Sequence, residues 1–479
     1  MLWNSLDLEY DLVVIGATLE GILAANLAAS FKVRVALVDL PHSRYFSSAE
    51  IIYNRTLSQT NNFLQQLNEG KNFGIYPFFN LNPDLSRVKA FAAEILNDLA
   101  DRSSLAFLAA AGVDVISGSG QFCKLPHLAF IVGKRRLRSR KYLIATGSAA
   151  GGKHSDLLEK IDYLTTSDLW QKDCLNSLSD RLVIIGGTPL ALELTQNLAK
   201  LGKKITYLEE RDRILPREDR EISGFVRAIL EAEGVKVFTN SPLTQVKSID
   251  GKKWLQAGNR AIETDRVIFA GKRSPNIFDL NLSAVGVKYS AIGIKLDRKL
   301  RTTNPRIYAC GDVAGGYSFP HLARYEANIA VKNALFFPRF KVDYRHIPIT
   351  IFTAPPFAKV GITEAQARSR YGKDVFIVRE YFKNIAGAQI SGEITGFFKC
   401  ICTNKGKILG ANIIGPSAAE LIGSIALAMK HNITLNAIAS LPHSFASRSE
   451  IIDLTAIKWQ SQNQFDRSFL QNFLESFFI

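Results

Sequence analysis

The chain of 479 residues is longer than one hydrophobic core supports, which predicts about two to four domains. Apolar residues make up 47% of it and predict a globular protein, while the absence of an apolar run of about 20 residues argues against a transmembrane helix. No leader pattern precedes Tyr10, so a signal peptide is not expected.

The formal charge is +15, and much of it lies in KRRLRSRK, residues 134–141. This run leads into an apolar strand without interleaved aromatic residues, which favours a solvated hairpin edge over a specific nucleic-acid site.

The five cysteines form neither a Cys-x-x-Cys pair nor a zinc spacing. Their pattern predicts no metal site and a reducing, cytoplasmic compartment. Cys400 and Cys402 alternate with Ile401 on an apparent strand, so both thiols should point to one face and act as packing residues.

Residues 11–15, DLVVI, have the uninterrupted apolar character of a buried parallel strand. The turn GATLEG, a helical pattern and a second strand ending at Asp39 follow. Such a turn delivers a dinucleotide pyrophosphate to the helix N-terminus, and the acid accepts ribose hydroxyls. Gly16, Gly21 and Asp39 match these roles, but Thr18 stands where a second glycine would admit the phosphates. Its β-branched side chain is expected to push the pyrophosphate away or to open the turn.

The same pattern recurs at residues 181–210, RLVIIGGTPLALELTQNLAKLGKKITYLEE. Gly186 opens the turn, Thr188 again holds the middle position, and Ala191 stands where a third glycine is common. Glu209 ends the second strand, and an acid there favours NAD over NADP because it binds a free ribose 2′-hydroxyl. Two such units in one chain predict two dinucleotide sites.

Further apolar strands lead into small-residue turns in YLIATGSAA, VIFAGKRSPN and IYACGDVAGG, and PHLARYEANIA begins a helix behind the last. Two later segments, ITIFTAPPFAKVGITEAQA and LGANIIGPSAAELI, complete the pattern. Together these segments resemble the pyridine nucleotide-disulfide oxidoreductase family, which includes dihydrolipoamide dehydrogenase, glutathione reductase and mercuric reductase.

The resemblance covers nearly the whole chain and implies an α/β fold with two Rossmann-like domains and a C-terminal α+β dimerisation domain. Residues 1–150 and 273–340 would bind FAD, residues 151–272 would bind NAD, and residues 345–479 would form a homodimer interface. The implied FAD residues are Gly16, Thr18, Gly21, Asp39, Thr146, Gly147, Gly311, Asp312 and Ala323. The implied NAD residues are Gly186, Thr188, Glu193, Glu209 and Gly271.

Family members that reduce disulfides carry Gly-Gly-Thr-Cys-x4-Cys-x-Pro-Ser-Lys soon after the first unit. Counted from Asp39 with one residue deleted, this pattern falls on residues 43–55, SRYFSSAEIIYNR. Phe46 and Ile51 then replace the two cysteines, and Arg55 replaces the lysine. The resemblance further implies an ion pair between Arg55 and Glu193 beside the flavin.

The same members end in His-Pro-Thr-x-Ser-Glu, whose histidine carries a proton to the departing thiol. The matching stretch here is FASRSE, in which Phe445 replaces the histidine and Glu450 remains. His443 is interpreted as a loop or interface residue. Because thiols and proton carrier are lost together, dithiol exchange is not the expected reaction, and no catalytic residue is assigned.

Hydride transfer from a nicotinamide to a flavin requires two positioned cofactors rather than a protein nucleophile, so it is compatible with these losses. The apolar replacements suit a planar quinone better than a charged disulfide peptide. The leading hypothesis is an FAD-dependent NAD(P)H oxidoreductase with a small non-disulfide acceptor such as a quinone. The alternatives are an inactive dimeric scaffold or sensor that binds flavin or nucleotide, and a pyridine nucleotide transhydrogenase.

The last residues, QFDRSFLQNFLESFFI, place apolar side chains at helical spacing and predict an amphipathic C-terminal helix. Such a face suits a membrane surface, the dimer mate or another protein. Only Arg467 is basic on its polar face, which favours protein over an anionic bilayer.

Overall fold

The computed structural model describes residues 8–41, 46–76, 82–101, 104–150, 155–171, 174–316 and 318–462. The chain divides into two compact units. The first comprises Met1–Thr60, Gly70–Gly186 and Leu243–Val342, and the second comprises Asn61–Glu69, Gly187–Pro242 and Asp343–Ile479. The three-domain boundaries drawn from the sequence stay a prediction.

The β-strands of the described residues are numbered in chain order. They are β1 (Tyr10–Ile15), β2 (Val35–Asp39), β3 (Asp114–Ser117), β4 (Gly120–Cys123), β5 (Ala129–Val132), β6 (Arg135–Leu137), β7 (Ser139–Ile144), β8 (Ser148–Ala150), β9 (Leu164–Thr165), β10 (Arg181–Ile185), β11 (Lys204–Leu208), β12 (Lys236–Phe238), β13 (Leu243–Ile249), β14 (Lys252–Ala257), β15 (Arg260–Thr264), β16 (Arg266–Phe269), β17 (Arg273–Pro275), β18 (Tyr289–Ser290), β19 (Gly293–Ile294), β20 (Ile307–Ala309), β21 (Ile349–Ile351), β22 (Phe357–Gly361), β23 (Val375–Tyr381), β24 (Phe397–Thr403) and β25 (Ile408–Ile414).

The α-helices are numbered in the same way. They are α1 (Leu19–Ser30), α2 (Phe46–Glu69), α3 (Leu85–Asp101), α4 (Leu105–Ala110), α5 (Ser155–Leu158), α6 (Thr166–Gln171), α7 (Pro189–Lys200), α8 (Arg220–Ala232), α9 (Pro320–Leu335), α10 (Glu364–Tyr371), α11 (Ala386–Ser391), α12 (Ala418–Lys430), α13 (Leu435–Ala439) and α14 (Glu450–Gln462).

A parallel sheet of order β20-β7-β1-β2-β3 forms the centre of the first unit. It is buried on both faces, since Leu12 and Val14 of β1 join one core while Val13 and Ile15 join another. Helices α1 and α9 pack together on the first of these faces. The uninterrupted apolar run in β1 therefore reports a doubly covered parallel strand, as predicted.

The second repeat also forms the predicted elements. In the first unit, β10 pairs in parallel with β16, and β16 pairs with β9. In the second unit, β11 pairs in parallel with β12, and α7 packs against β11. The repeated strand-turn-helix-strand pattern is thus present at both predicted positions.

The C-terminal part of the second unit is an antiparallel sheet of order β21-β22-β25-β24-β23. Cys400 and Cys402 of β24 join one core cluster, while Ile401 joins another. Both thiols are buried and free, so the prediction that they are packing residues on one face is confirmed.

The basic run 134–141 forms β6, an edge strand of the sheet β4-β5-β6, and then enters β7. Arg135 is partly neutralised, because it bonds to Asp114 at 2.6 Å and to the Tyr10 hydroxyl at 2.8 Å. This geometry agrees with a hairpin edge.

The predicted amphipathic helix over residues 464–479 lies outside the described residues. None of the helices that are described combines the length and apolarity needed to cross a membrane.

Candidate functional site

The predicted FAD residues of the first unit gather at one edge of its parallel sheet. Strands β1, β2, β7 and β20 run in the same direction, so their carboxyl ends meet there. The predicted FAD residues lie in four segments, each at or just after the carboxyl end of one strand. These residues are Gly16, Thr18 and Gly21 after β1, Asp39 at the end of β2, Thr146 and Gly147 after β7, and Gly311 and Asp312 after β20.

Gly16 occupies a backbone position that only glycine fits well. Its φ is +109°, and a Cβ there would lie 2.2 Å from the carbonyl oxygen of Ala145. Gly21 allows helix α1 to lie close against the turn, because a Cβ at Gly21 would lie 1.9 Å from the Gly16 carbonyl oxygen. The two glycines thus form the close turn that the sequence predicted.

Thr18 is the N-cap of α1. Its Oγ1 accepts a hydrogen bond from the Gly21 N–H at 3.2 Å and donates one to the Ala145 carbonyl at 2.9 Å. The threonine therefore satisfies a helix N–H that lacks an intrahelical partner and ties the turn to the end of β7. This capping role was not foreseen from the sequence.

Two acids stand at this edge. Asp39 is buried at the end of β2. Asp312 accepts hydrogen bonds from the hydroxyls of Ser148, at 2.9 Å, and Ser318.

The other two predicted positions are also fixed by the fold. Thr146 donates a 2.7 Å hydrogen bond from its hydroxyl to the Asn276 carbonyl. Ala323, in the first turn of α9, is also buried.

Glu20 is a residue that the sequence analysis missed. It lies in the first turn of α1, and its side chain is buried. A Cβ on Gly311 would stand 2.4 Å from Glu20 Oε1, so the carboxyl group lies directly against the turn after β20. Burial, followed by the charges of Asp312 and Glu326, raises the pKa of Glu20 to about 8. The available signal was an acid inside a turn that is built to bind an anion.

The second predicted turn repeats the geometry of the first. Gly186 has a φ of +147°, and a Cβ there would lie 2.4 Å from the Ala270 carbonyl oxygen. Thr188 caps α7, since its Oγ1 accepts from the Ala191 N–H at 3.2 Å. Gly271 follows closely after β16, and a Cβ there would lie 2.5 Å from the ring of Phe269.

Glu209 follows β11 and is buried beside this turn in the second unit. A Cβ on Gly187 would lie 2.1 Å from its Oε2, and its Oε1 accepts from the Arg211 N–H at 3.1 Å. Burial raises the pKa of Glu209. Its Oε2 is buried and has no hydrogen-bond partner among the described residues, which leaves an acceptor directed at the turn.

Glu193 lies on α7 and accepts a hydrogen bond from the Phe352 N–H at 2.8 Å. Both residues belong to the second unit. The predicted ion pair between Glu193 and Arg55 stays a prediction.

Residues 46–55 of the segment that should carry the cysteines form the N-terminal part of α2. The placement of the Phe46 side chain lies outside the described part of the chain, and Ile51 is half-buried. Next to Ile51, the buried Glu50 pairs with Arg273 at 3.4 Å and accepts hydrogen bonds from the hydroxyls of Thr166, at 3.0 Å, and Ser167. A polar cluster therefore adjoins the position of the second cysteine.

The stretch that should carry the histidine lies before and at the start of α14. Phe445 is 83% exposed. The Nε2 of His443 and the Oε2 of Glu450 are buried without hydrogen-bond partners in the parts of the chain that the structure describes. Convergence of Phe46, Ile51 and Phe445 on one acceptor site stays a prediction.

Two protein-family models match most of the chain. The family model described as pyridine nucleotide-disulphide oxidoreductase matches residues 10–327, and the model of its dimerisation domain matches residues 347–456. The chain belongs to this family.

Relatives within the family cover most of the chain. A dihydrolipoyl dehydrogenase of Bacillus subtilis is 30% identical over 435 residues, which are 88% of this chain and 93% of that protein. A mercuric reductase of Bacillus cereus is 27% identical over 474 residues, which are 94% of this chain and 71% of that protein. The HOCl-induced flavoprotein disulfide reductase RclA of Escherichia coli shares the fold, with a TM-score of 0.80, 24% identity, and coverage of 94% of this chain and 99% of RclA.

The pyridine nucleotide-disulphide oxidoreductases bind FAD and NAD(P), and the two turns fit such cofactors. The tight glycine turns match dinucleotide cradles, and the open acceptor on Glu209 matches a ribose hydroxyl donor. The dimerisation domain of the family corresponds to the antiparallel sheet, which supports a homodimer. At the turn from Gly16 to Gly21, Glu20 is the exception, since its carboxyl group would add a negative charge where a diphosphate would bind whenever it is ionised.

Proposed function

We propose that this protein is an FAD-dependent oxidoreductase that passes electrons from NADH to a small non-disulfide acceptor, with a quinone as the leading candidate.

The residues at the N-terminal part of α2 provide the main support for this proposal. The cysteine positions of the disulfide-reducing pattern hold Phe46 and Ile51, and the adjacent Glu50 is engaged in a buried ion pair with Arg273. Three of the five cysteines of the chain, Cys310, Cys400 and Cys402, are buried. Because dithiol exchange requires an accessible thiolate pair, this arrangement supports an acceptor other than a disulfide.

The chain's own residues would bind and orient the reactants. Bound FAD would supply the hydride-accepting and electron-donating chemistry that no side chain provides. The turns at Gly16 and Gly186 would hold the two dinucleotides, while Asp312, fixed by Ser148, would orient the flavin. Phe445, which is exposed in the single chain, would add apolar surface for a planar acceptor.

Glu209 supports NADH as the donor. A buried carboxylate oxygen beside the turn would accept a hydrogen bond from the ribose 2′-hydroxyl, whereas the 2′-phosphate of NADPH would meet it as a second anion. The preference for NADH therefore follows from one carboxylate.

A second candidate function is a flavin- or nucleotide-binding scaffold without turnover. Glu20 favours it, because this buried acid opposes flavin binding at the Gly16 turn whenever it is ionised. A scaffold of this kind would bind nucleotide at the Gly186 turn without reducing an acceptor.

Anaerobic addition of NADH to the purified, FAD-loaded protein distinguishes these functions. Loss of the oxidised flavin spectrum, followed by its return when a benzoquinone is added, is the expected result. A flavin that NADH leaves oxidised would favour the scaffold. Sustained turnover of lipoamide or glutathione disulfide would refute the non-disulfide proposal.

Matched cysteine variants make this experiment sharper. Cys123 and Cys174 are the two cysteines that are not buried. The variants Cys123→Ser and Cys174→Ser should keep the quinone rate unchanged, because no thiol takes part. A loss of that rate in either variant would implicate a thiol and contradict the proposal.

A further inference from the structure

The FAD turn contains a carboxyl group in a position that a bound diphosphate must approach. Glu20 occupies the first turn of α1 and is 5% exposed. Its Oε1 lies so close to Gly311 that a Cβ there would be 2.4 Å away. The helix N-terminus and the turn after β20 are the two elements between which the diphosphate of a dinucleotide is expected to lie.

The titratable groups around Glu20 are themselves acidic. Asp312 lies in the turn after β20 and Glu326 projects from α9, while the buried Cys310 thiol lies within reach of the charges of Glu20 and Glu326. Glu326 is held in place, since its Oε2 accepts a 2.8 Å hydrogen bond from the Gly311 N–H. An ionised Glu20 would therefore face carboxylates as well as the incoming diphosphate.

Negative charge at a helix N-terminus is ordinarily favourable, because the helix dipole and the first N–H groups stabilise one anion. A second buried anion at the same place is repelled, and protonation of the side chain is the simplest way to remove that repulsion. Glu20 can be protonated in this way near neutral pH, since burial, followed by the charges of Asp312 and Glu326, raises its pKa to about 8.

We propose that FAD binds this site with a proton on Glu20, so that flavin uptake in alkaline solution consumes a proton and is weaker than at neutral pH. The proposal rests on the FAD site of the proposed function. It makes Glu20 a determinant of flavin occupancy that senses pH, and it predicts that flavin is released when the carboxyl group ionises.

The direction of the pH dependence follows from linkage. A bound diphosphate raises the pKa of Glu20 further, so the complex holds a proton that the free protein loses as the pH rises. The affinity should be constant below the pKa of the free protein and fall as the pH rises above it, by roughly tenfold between about pH 7 and pH 9.

The test measures FAD binding alone, without NADH or an acceptor. Apoprotein is titrated with FAD by equilibrium dialysis across this pH range, as wild type, Glu20→Gln and Glu94→Gln. Glu94 is the matched control, because its side chain is 56% exposed on α3 and forms an ion pair with the exposed Arg87. Wild type and Glu94→Gln should show the alkaline loss of affinity, and Glu20→Gln should bind FAD equally at every pH.

Calorimetry of the wild-type protein gives a readout that needs no variant. Repeated in buffers of different ionisation enthalpy near pH 9, FAD binding should take up about one proton. A pH-independent wild-type affinity, an alkaline loss that persists in Glu20→Gln, or no proton uptake would each overturn the proposal. A protein that binds FAD as expected here but is never reduced by NADH would instead refute only the proposed function.

Discussion

The carboxylate of Glu50 and the guanidinium of Arg273 form an ion pair at 3.4 Å, with side chains only 4% and 18% exposed. The two residues are 223 positions apart in the sequence. Arg273 also donates to the Ser148 carbonyl at 2.8 Å, and the Ser148 hydroxyl donates to Asp312 at 2.9 Å. A continuous polar chain therefore joins α2, where the cysteines would be, to the acid after β20.

Removing the cation from this pair should be strongly destabilising. In Arg273→Met, the buried carboxylate of Glu50 keeps only hydroxyl partners, which should lower the free energy of unfolding by about 3–5 kcal/mol. The double variant Glu50→Gln/Arg273→Met should lose less than the sum of the single variants, because no buried charge is then left alone. Urea unfolding followed by circular dichroism measures both quantities.

The exposed pair of Arg87 and Glu94 is the control for this cycle. Its side chains are 68% and 56% exposed, although its 3.0 Å separation is shorter than that of the buried pair. Arg87→Met should therefore change the free energy of unfolding by less than about 1 kcal/mol. Equal losses in Arg87→Met and Arg273→Met would show that burial of the pair is unimportant.

Gly16 should tolerate no side chain. The Cβ of Gly16→Ala would lie 2.2 Å from a backbone oxygen at a φ of +109°, so we expect a loss of about 3 kcal/mol or more in unfolding free energy and of FAD binding. Gly224→Ala is the comparison, since a Cβ at this site on α8 would project into open space. It should gain up to about 1 kcal/mol from helix propensity. Thermal unfolding and FAD titration measure these effects, and a stable Gly16→Ala would contradict the close turn.

Glu209 should set the choice between the two nicotinamide nucleotides. Glu209→Ala removes the buried acceptor, so NADH affinity should fall by roughly tenfold while NADPH affinity stays the same or rises. Glu210→Ala, at the exposed neighbouring position, should leave both affinities unchanged. Calorimetric titration with each nucleotide measures the difference, and a parallel loss for NADH and NADPH would argue against a contact with the ribose 2′-hydroxyl.

The sequence predicts those parts of the site that local patterns determine. The apolar run of β1 predicts a doubly buried strand, and the repeated glycine turns predict the two dinucleotide cradles. Thr18 could also have been predicted as a helix cap, because a threonine just before a helical pattern is a common N-cap.

Long-range contacts could not be predicted in this way. The acid at position 20 is visible in the sequence, but its burial depends on the turn after β20 and on α9, which lie far along the chain. The pairing of Glu50 with Arg273 likewise depends on tertiary packing across the first unit. No periodicity or motif specifies which distant charge meets a buried carboxylate.

The last prediction concerns a buried lysine in the second unit. The ammonium group of Lys399, whose side chain is 1% exposed, lies 2.8 Å from Glu364 and 3.1 Å from both Asp219 and Glu221. Burial alone would lower the pKa of Lys399, but bonding to Glu364 and Asp219 outweighs it and raises the pKa. Burial likewise opposes ionisation of Glu221 and Glu364, but their bonds to cations hold both pKa values below the ordinary range.

These shifts predict stabilisation on both sides of neutrality. The lowered pKa values of Glu221 and Glu364 stabilise the fold above their unfolded pKa, and this is lost as the pH falls below about 4. The raised pKa of Lys399 stabilises the fold below about pH 10, and this stabilisation is lost as the pH rises further. Lys399→Met should lower the unfolding free energy at neutral pH by about 3–5 kcal/mol and reduce its dependence on pH at both limits. Lys430→Met, at an exposed position, should change it by less than about 1 kcal/mol and keep the wild-type profile, as measured by urea unfolding across the pH range. An unchanged profile in Lys399→Met would show that this cluster does not control the pH dependence.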